Sequence, residues 1–185
     1  MVNRNNRVCP LERAGRLDSK LRRWVQNPRK ILAPYLTEGM TALDLGCGPG
    51  YFTLEITQLV GKSGRVIAVD MQEGMLQIIR EKIHGTELEP RITLHQCRQD
   101  ALGVSEPVDF LLAFYMIHEV PDKPRLFSEV ARLLKPTGRM LIVEPPFHVA
   151  TTAFTAMLAT AEQAGLSAVE RPKMWPSLAV VLRKG

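Results

Sequence analysis

Three acidic side chains and a glycine-rich turn are the residues of this sequence whose types and spacing suit a ligand-binding site. The turn covers residues 46–50, GCGPG, and Asp44 precedes it by two residues. Asp70 and Asp100 follow at later points in the chain. Glycines let the backbone approach a ligand closely, and carboxylates accept hydrogen bonds from hydroxyl and amino groups. This combination predicts a site for a nucleotide-like cofactor.

The spacing of the turn indicates which cofactor. The dinucleotide fingerprint G-x-G-x-x-G would need glycine at position 51, where this chain has Tyr51, so the pattern is G-x-G-x-G. Asp44 would repel a pyrophosphate, whereas it suits a cofactor that carries an ammonium and a sulfonium. No lysine follows the turn as a P-loop requires. The sequence therefore predicts S-adenosylmethionine (SAM), with S-adenosylhomocysteine as its product.

Alternating strands and helices must position these residues. Apolar runs and turn signals predict strands at 41–45, 65–70, 91–96, 108–115 and 139–143, with a final antiparallel pair at 166–171 and 178–182. Helices are predicted at 28–36, 51–59, 73–84, 124–134 and 147–164, and a turn at 135–138. The crossover at 101–107 is too short for a full helix. Open α/β sheets bind ligands at the carboxyl ends of their strands, so the acids should converge there.

Two segments carry a family resemblance. LDLGCGPGYF resembles the first motif of class I SAM-dependent methyltransferases, and VARLLKPTGRMLIVEP is similar to a later block of their small-molecule branch. That branch includes methyltransferase type 11 and the ubiquinone/menaquinone-biosynthesis type. The resemblance runs from about Asn27 to the C-terminus. It implies a Rossmann-like α/β fold, with a seven-stranded, mostly parallel sheet, helices on both faces and an antiparallel C-terminal strand.

The resemblance and the residue chemistry together give the predicted cofactor contacts. Asp44 would face the methionine end, and Asp70 would accept hydrogen bonds from the ribose hydroxyls. By resemblance, Asp100 before Ala101 would accept from the adenine amino group, although Gln99 replaces the commoner glycine. Met71 either packs on the adenine face or belongs to the core. The predicted cofactor-binding residues are Asp44, Gly46, Cys47, Gly48, Gly50, Tyr51, Asp70, Met71, Asp100, Ala101 and Phe114.

The predicted catalytic residues follow the fourth and fifth strands. His118 could act as a base, since the reference pKa of histidine lies near neutrality, or it could be a structural residue lining the pocket. Tyr115 and Glu144 are candidates for orienting the methyl acceptor. No metal site is predicted, because Cys9, Cys47 and Cys97 lack metal-ligand spacing. The residues do not identify the acceptor.

The first 26 residues form a separate, basic unit. Residues 1–30 hold nine Lys/Arg against two Asp/Glu, whereas the rest of the chain holds fifteen against seventeen, and the net charge is +5. A helical stripe at 17–25, which includes Trp24, either closes over the cleft as a lid, as the resemblance implies, or packs on the domain. The prediction is therefore a basic arm at 1–26 and one SAM-binding domain at 27–185. The basic residues of the arm either form a solvent-exposed helix face or contact a partner, which would be nucleic acid, an anionic membrane or an acidic substrate.

The remaining expectations concern partners and location. The N-terminus lacks the apolar core of a secretory signal, which predicts a cytoplasmic protein. The expected partner is a small-molecule methyl acceptor. Peripheral membrane contact through the arm is a further possibility. The sequence does not decide between a monomer and a homodimer. An RNA methyltransferase that uses the arm is a second hypothesis, disfavoured because the Asn/Asp-Pro-Pro-Tyr/Phe signature is missing. A non-catalytic SAM-binding module or a nicotinamide oxidoreductase is the third.

Overall fold

A computed structural model of the chain describes residues 27–146 and 148–185. The predicted arm and its stripe at 17–25 lie outside these residues, as does the predicted helix start at Phe147. The strands are β1 (Thr41–Leu45), β2 (Arg65–Asp70), β3 (Ile92–Gln96), β4 (Val108–Phe114), β5 (Leu134–Glu144), β6 (Leu166–Glu170) and β7 (Leu178–Lys184). The helices are α1 (Pro28–Leu32), α2 (Thr53–Leu59), α3 (Glu73–Ile83), α4 (Lys123–Leu133) and α5 (Thr151–Gln163), with short 3₁₀ turns at Glu89–Arg91 and Ile117–Glu119.

One seven-stranded sheet carries the fold, in the order β3-β2-β1-β4-β5-β7-β6. Strands β1 to β5 pair in parallel, and β7 pairs antiparallel with both β5 and β6. All five residues of β1 are buried, as expected of a parallel strand covered on both faces. Because β1 pairs with both β2 and β4, the strand order reverses at β1, and such a switch point forms a crevice at the carboxyl ends of the strands.

Helices cover both faces of the sheet. On one face the apolar sides of α4 and α5 pack on the sheet through Phe127, Val130 and Phe154. On the other face α1, α2 and α3 pack through Leu32, Ile56 and Ile79. The predicted fold class is therefore confirmed.

Several predicted boundaries differ from the structure. Helix α1 ends at Leu32 rather than at residue 36, and the chain then turns towards β1. Helix α2 begins at Thr53 rather than at residue 51, because Tyr51 and Phe52 turn their rings into the core before the helix starts. Helix α5 begins at Thr151, because the N–H groups of His148 and Val149 both donate to the Pro145 carbonyl in a preceding turn.

Strand β5 also runs through the predicted turn at 135–138. Its pairing with β4 jumps from Val108–Leu134 to Phe110–Arg139, so the four residues 135–138 of β5 lie opposite the single residue Asp109 of β4 and bulge from the ladder. The short crossover before β4 is confirmed, since residues 102–107 contain no helix.

Candidate cofactor and acceptor site

The glycine turn follows β1 and is held against the end of β2. The N–H groups of Gly46 and Cys47 both donate to the Val69 carbonyl, at 2.8 and 3.0 Å. Gly48 has a φ of +53° and Gly50 a φ of +88°, a backbone region that favours glycine. The turn therefore depends on its glycines for its backbone shape.

The glycines of the turn differ in what surrounds them. A Cβ on Gly50 would lie 2.9 Å from Cγ1 of Ile79, and one on Gly46 would lie 3.0 Å from Cβ of Met116. A Cβ on Gly48 would meet no heavy atom within 4 Å. Gly46 and Gly50 thus allow close packing inside the protein, whereas Gly48 borders open space in which a ligand can approach the backbone.

Asp70 ends β2 beside this turn and is 8% exposed. Its Oδ2 accepts a hydrogen bond from the Gly48 N–H, and its Oδ1 accepts one from the Gln72 N–H, both at 2.9 Å. Burial raises the pKa of the Asp70 carboxyl, and these backbone donors oppose that rise. Each carboxylate oxygen keeps further acceptor capacity, so the group can also receive a pair of hydroxyl donors.

Asp44 lies in β1 and is almost fully buried. Its Oδ2 accepts a hydrogen bond from the Thr53 hydroxyl at 2.7 Å, at the start of α2. Burial raises the pKa of Asp44 to about 7, and the negative charge of Asp70 adds to the rise. A cation nearby would favour the ionised form of this carboxyl.

The end of β3 presents a more exposed group. Asp100 lies in the tight turn that joins Arg98 to Ala101, and its Oδ1 is 3.2 Å from Nε of Arg98. Its side chain is 62% exposed. Met71, which follows Asp70, is also partly exposed.

The two cysteines near these strand ends have raised pKa values. Burial is the main reason that the pKa of Cys47 lies well above its usual value, and burial raises the pKa of Cys97 to about 11. Since the thiolate is the nucleophile, both thiols behave as small apolar groups here.

The end of β4 brings a second group of predicted residues together. The Phe114 ring packs on Phe52, with ring centroids 4.3 Å apart, and on Tyr115 at 4.4 Å. Tyr115 has a φ of +58°, which is rare for a residue with a side chain. Its hydroxyl shares a hydrogen bond of 2.5 Å with the Ser177 hydroxyl. Strained backbone of this kind concentrates at functional sites.

His118 and Glu144 form the main polar contact of this second group. Nδ1 of His118 is 2.5 Å from Oε2 of Glu144, and the His118 N–H donates to Oε1 of the same carboxyl at 3.3 Å. Glu144 is fully buried at the end of β5, whereas 25% of the His118 side chain is exposed. The hydrogen bond to Glu144 raises the pKa of His118. The pair can accept a proton on the other ring nitrogen, Nε2, and stabilise the resulting charge.

The structure thus places the predicted residues in two neighbouring groups at the carboxyl edge of the sheet. We call the ends of β1 to β3 with the glycine turn the cofactor half, and the ends of β4 and β5 with His118 the acceptor half. The halves touch where Met116 packs against Gly46. Within the described residues, the Asp100 side chain contacts Arg98 and none of the other predicted site residues.

Sequence reasoning missed Thr53 and Ser177, the hydroxyl partners of Asp44 and Tyr115. Ser177 lies 62 residues from Tyr115 and carries no motif that could have identified it. Thr53 lies nine residues from Asp44, and its place at the start of a helix after the glycine turn is the signal that could have been read.

The polar groups of the cofactor half suit the chemistry of SAM. The Asp70 carboxylate retains acceptor capacity for ribose hydroxyls, Asp44 has a pKa that a nearby cation would lower, and the backbone at Gly48 is open to approach. The turn itself contains no lysine, and Lys82 of α3, which reaches it, donates its Nζ hydrogen bond to the Pro49 carbonyl at 2.8 Å.

Comparisons with known proteins agree with this chemistry. A family model described as a methyltransferase domain matches residues 36–175. The ubiquinone/menaquinone biosynthesis C-methyltransferase of Pseudoalteromonas translucida is 35% identical over 115 residues, which cover 62% of this chain and 46% of that protein. The demethylmenaquinone methyltransferase of Lactobacillus johnsonii is 36% identical over 109 residues, covering 57% of this chain and 44% of that protein. The chain thus spans less than half the length of these curated relatives.

A solved structure shows the same fold. A SAM-dependent methyltransferase from Aquifex aeolicus superimposes with a TM-score of 0.84 and 24% identity, covering 96% of this chain and all of that one. The predicted fold, family and cofactor are confirmed by these comparisons and by the family model. The chain belongs to the methyltransferase domain family, with SAM as its cofactor.

Proposed function

We propose that this chain transfers the methyl group of SAM to a small-molecule acceptor that loses a proton in the reaction. The observation that carries this proposal is the His118–Glu144 pair, which places a proton acceptor on the same sheet edge as the glycine turn. A base there has a use only if the reacting group of the acceptor bears an acidic proton.

Residues of the cofactor half would hold SAM by its separate parts. Asp70 would accept hydrogen bonds from the ribose hydroxyls, and Asp44 would attract the positively charged methionine end. Met71, with Asp100 and Ala101, would border the adenine. The position of Asp70 beside the open backbone of Gly48 supports the first of these roles.

The bound cofactor supplies an electrophilic methyl group on a sulfonium, and its product leaves as a neutral thioether. The chain itself has two tasks. It holds the acceptor in line with the methyl group, and such positioning can contribute about 7–11 kcal/mol to a reaction barrier. It also removes the acceptor's proton.

His118 is the group proposed to remove that proton. With Nδ1 bonded to Glu144, Nε2 is the nitrogen that would accept it, and the buried carboxylate stabilises the imidazolium that forms. Oε1 of Glu119 lies 3.9 Å from Nε2 and adds to this stabilisation. Glu144 is thus a positioning residue for His118. Tyr115 would form the wall against which the acceptor lies, together with Phe114, which the sequence had assigned to the cofactor.

The acceptor class that we propose is an electron-rich phenolic or quinol ring. The names of the two quinone-pathway relatives support this class, as do the aromatic side chains of Phe114 and Tyr115 in the acceptor half. A phenol has an acidic proton to give to His118, and its anion can react at oxygen or at a ring carbon.

Isotopically labelled SAM provides the test. Incubation with benzoquinols, naphthoquinols, a simple phenol and an amine, followed by mass analysis, should show methylation of a quinol or phenol. The rate should rise with pH through the pKa of His118, which lies above its usual value, because only the neutral imidazole accepts a proton. Glu144→Gln should move that rise to lower pH. Methylation of the amine alone, or a rate independent of pH in both proteins, would contradict the proposal.

The domain organisation also belongs to this proposal. Residues 27–185 would form the SAM-binding domain, and residues 1–26, which lie outside the described part of the chain, would be the basic arm. Among the described residues, no helix has the length and apolar character needed to cross a bilayer. The oligomeric state and the cytoplasmic location remain predictions.

A further inference from the structure

The loop between β6 and β7 carries an unusual exposed side chain. Trp175 is 93% exposed, far more than the other exposed large apolar residues, Met71 at 38% and Val169 at 52%. Tryptophan is amphipathic, and a ring that the protein leaves uncovered costs free energy in water. Neither face of this ring is backed by the protein, so the side chain projects from the surface.

The neighbouring residues alternate between the protein and the solvent. Arg171, Lys173 and Trp175 are exposed, whereas Pro172 and Met174 between them are partly buried. Met174 packs on the hydrophobic core. We call the outward side chains of Arg171, Lys173 and Trp175 the hairpin face. Two cations and one aromatic ring are thus exposed within five residues of the same loop.

The charge of this face is available to a partner. Arg171 and Lys173 form no hydrogen bond or ion pair with the described part of the chain. The adjacent acid, Glu170, accepts a hydrogen bond from the Tyr35 hydroxyl at 3.1 Å. The chain's excess of positive charge lies in residues 1–30, so Arg171 and Lys173 themselves supply the positive charge of this face. The hairpin face is therefore complementary to an anionic surface.

The loop is fixed in place and lies next to the acceptor half. The Ser177 N–H donates to the Met174 carbonyl at 2.7 Å, and the Ser177 hydroxyl bonds to Tyr115. Leu178 pairs directly with Glu144, and Trp175 is three residues away, a reach of at most about 11 Å. What binds the hairpin face would thus lie beside the proposed acceptor entrance.

We propose that the hairpin face docks on an anionic lipid membrane, with Trp175 at the level of the headgroups. Tryptophan is enriched at membrane–water interfaces, and an anionic bilayer attracts basic side chains near its surface. Proteins that bind single-stranded RNA also combine cations with aromatic side chains, but they do so in a groove that follows the RNA backbone. A projecting ring on a hairpin tip fits a deformable planar surface better. The docking does not depend on methyl transfer.

Vesicle sedimentation with the full chain tests this inference. The protein should bind vesicles of phosphatidylcholine that contain phosphatidylglycerol, and bind pure phosphatidylcholine weakly. Trp175→Ser should lower the partition coefficient about tenfold. Arg171→Gln with Lys173→Gln should lower it by about fivefold for each charge. SAM affinity, measured by calorimetry, should not change in either variant.

A matched control separates the hairpin face from the basic arm. Arg22→Gln with Arg23→Gln removes the same charge from the arm, and it should reduce binding much less than the hairpin double variant. In a Trp24→Phe background, where Trp175 is the remaining tryptophan, its emission should shift to the blue on binding vesicles.

Several results would overturn the inference. One is a partition coefficient that Trp175→Ser does not change. Another is equal binding to neutral and anionic vesicles. A third is a larger decrease of the partition coefficient in the arm double variant than in the hairpin double variant. Binding of single-stranded RNA that is tighter than vesicle binding, and that depends on Trp175, would assign the face to RNA instead.

Discussion

In the cofactor half of the site backbone N–H groups hold a carboxylate, whereas in the acceptor half a buried carboxylate holds a histidine. Asp70 is oriented by Gly48 and Gln72, which lie at the ends of adjoining strands. His118 is oriented by Glu144, a side chain 26 residues away. The first arrangement depends mainly on backbone shape, and the second on one pair of side chains. Single substitutions should therefore affect cofactor binding and catalysis separately.

We expect the largest effect from His118→Ala, which removes the proposed base. General acid–base groups contribute about 10²–10⁴-fold to rates, so kcat with the acceptor found in the labelling screen should fall by that factor. SAM affinity should stay within about twofold, because the acceptor half would not bind the cofactor. Steady-state kinetics and calorimetry measure the two quantities.

His148→Ala is the matched control for this prediction, since its ring centroid lies 6.2 Å from that of His118. It should change kcat by much less. Equal losses in the two variants, or a loss of SAM affinity in His118→Ala, would remove the distinction between the halves.

Asp70→Ala should give the next largest effect, on the cofactor side. Hydrogen bonds to a charged group contribute about 1.5–3 kcal/mol, so loss of the ribose contacts should raise the Kd for SAM about 10- to 100-fold. Calorimetry measures the Kd, and a thermal melt verifies that the variant folds. Unchanged affinity in a folded variant would refute the ribose role of Asp70.

The pH dependence of SAM affinity tests Asp44. Its pKa of about 7 means that, below this pH, the carboxyl of the free protein is largely protonated. It must lose the proton to attract the cationic end of SAM, so affinity should fall by up to about tenfold for each pH unit below 7. Titrations in buffers of different ionisation enthalpy should also show proton release on binding.

Asp44→Asn is the control, because an amide cannot titrate. It should bind SAM more weakly above pH 7 and with less dependence on pH. If the native protein showed the same shallow pH dependence as this variant, Asp44 would not face the cofactor's charge.

Asp100→Ala should have the smallest effect. The Asp100 side chain is 62% exposed and already interacts with Arg98, so one contact with adenine in that setting should change the Kd for SAM by about threefold. Calorimetry against Asp70→Ala under the same conditions gives the comparison. An effect as large as that of Asp70→Ala would show that the end of β3 orders around the cofactor.

Much of the fold was predictable because its signals are local. Strands β1 and β2 have the bounds that their apolar runs predicted, Thr41–Leu45 and Arg65–Asp70. The turns that bound them contain glycines, which mark chain reversals in the sequence itself. The predicted start of α2 was wrong, because Tyr51 and Phe52 are buried by contacts with distant residues such as Phe114.

The amino-acid sequence by itself determined the glycine turn and the placement of carboxylates at strand ends. These depend on backbone freedom and on hydrophobic runs, which are properties of short segments. The tertiary structure alone decided that Glu144 bonds to His118 and that Ser177 bonds to Tyr115. Such contacts depend on which strands are neighbours and in which register, and a pattern of buried and exposed residues along the chain does not encode those neighbours.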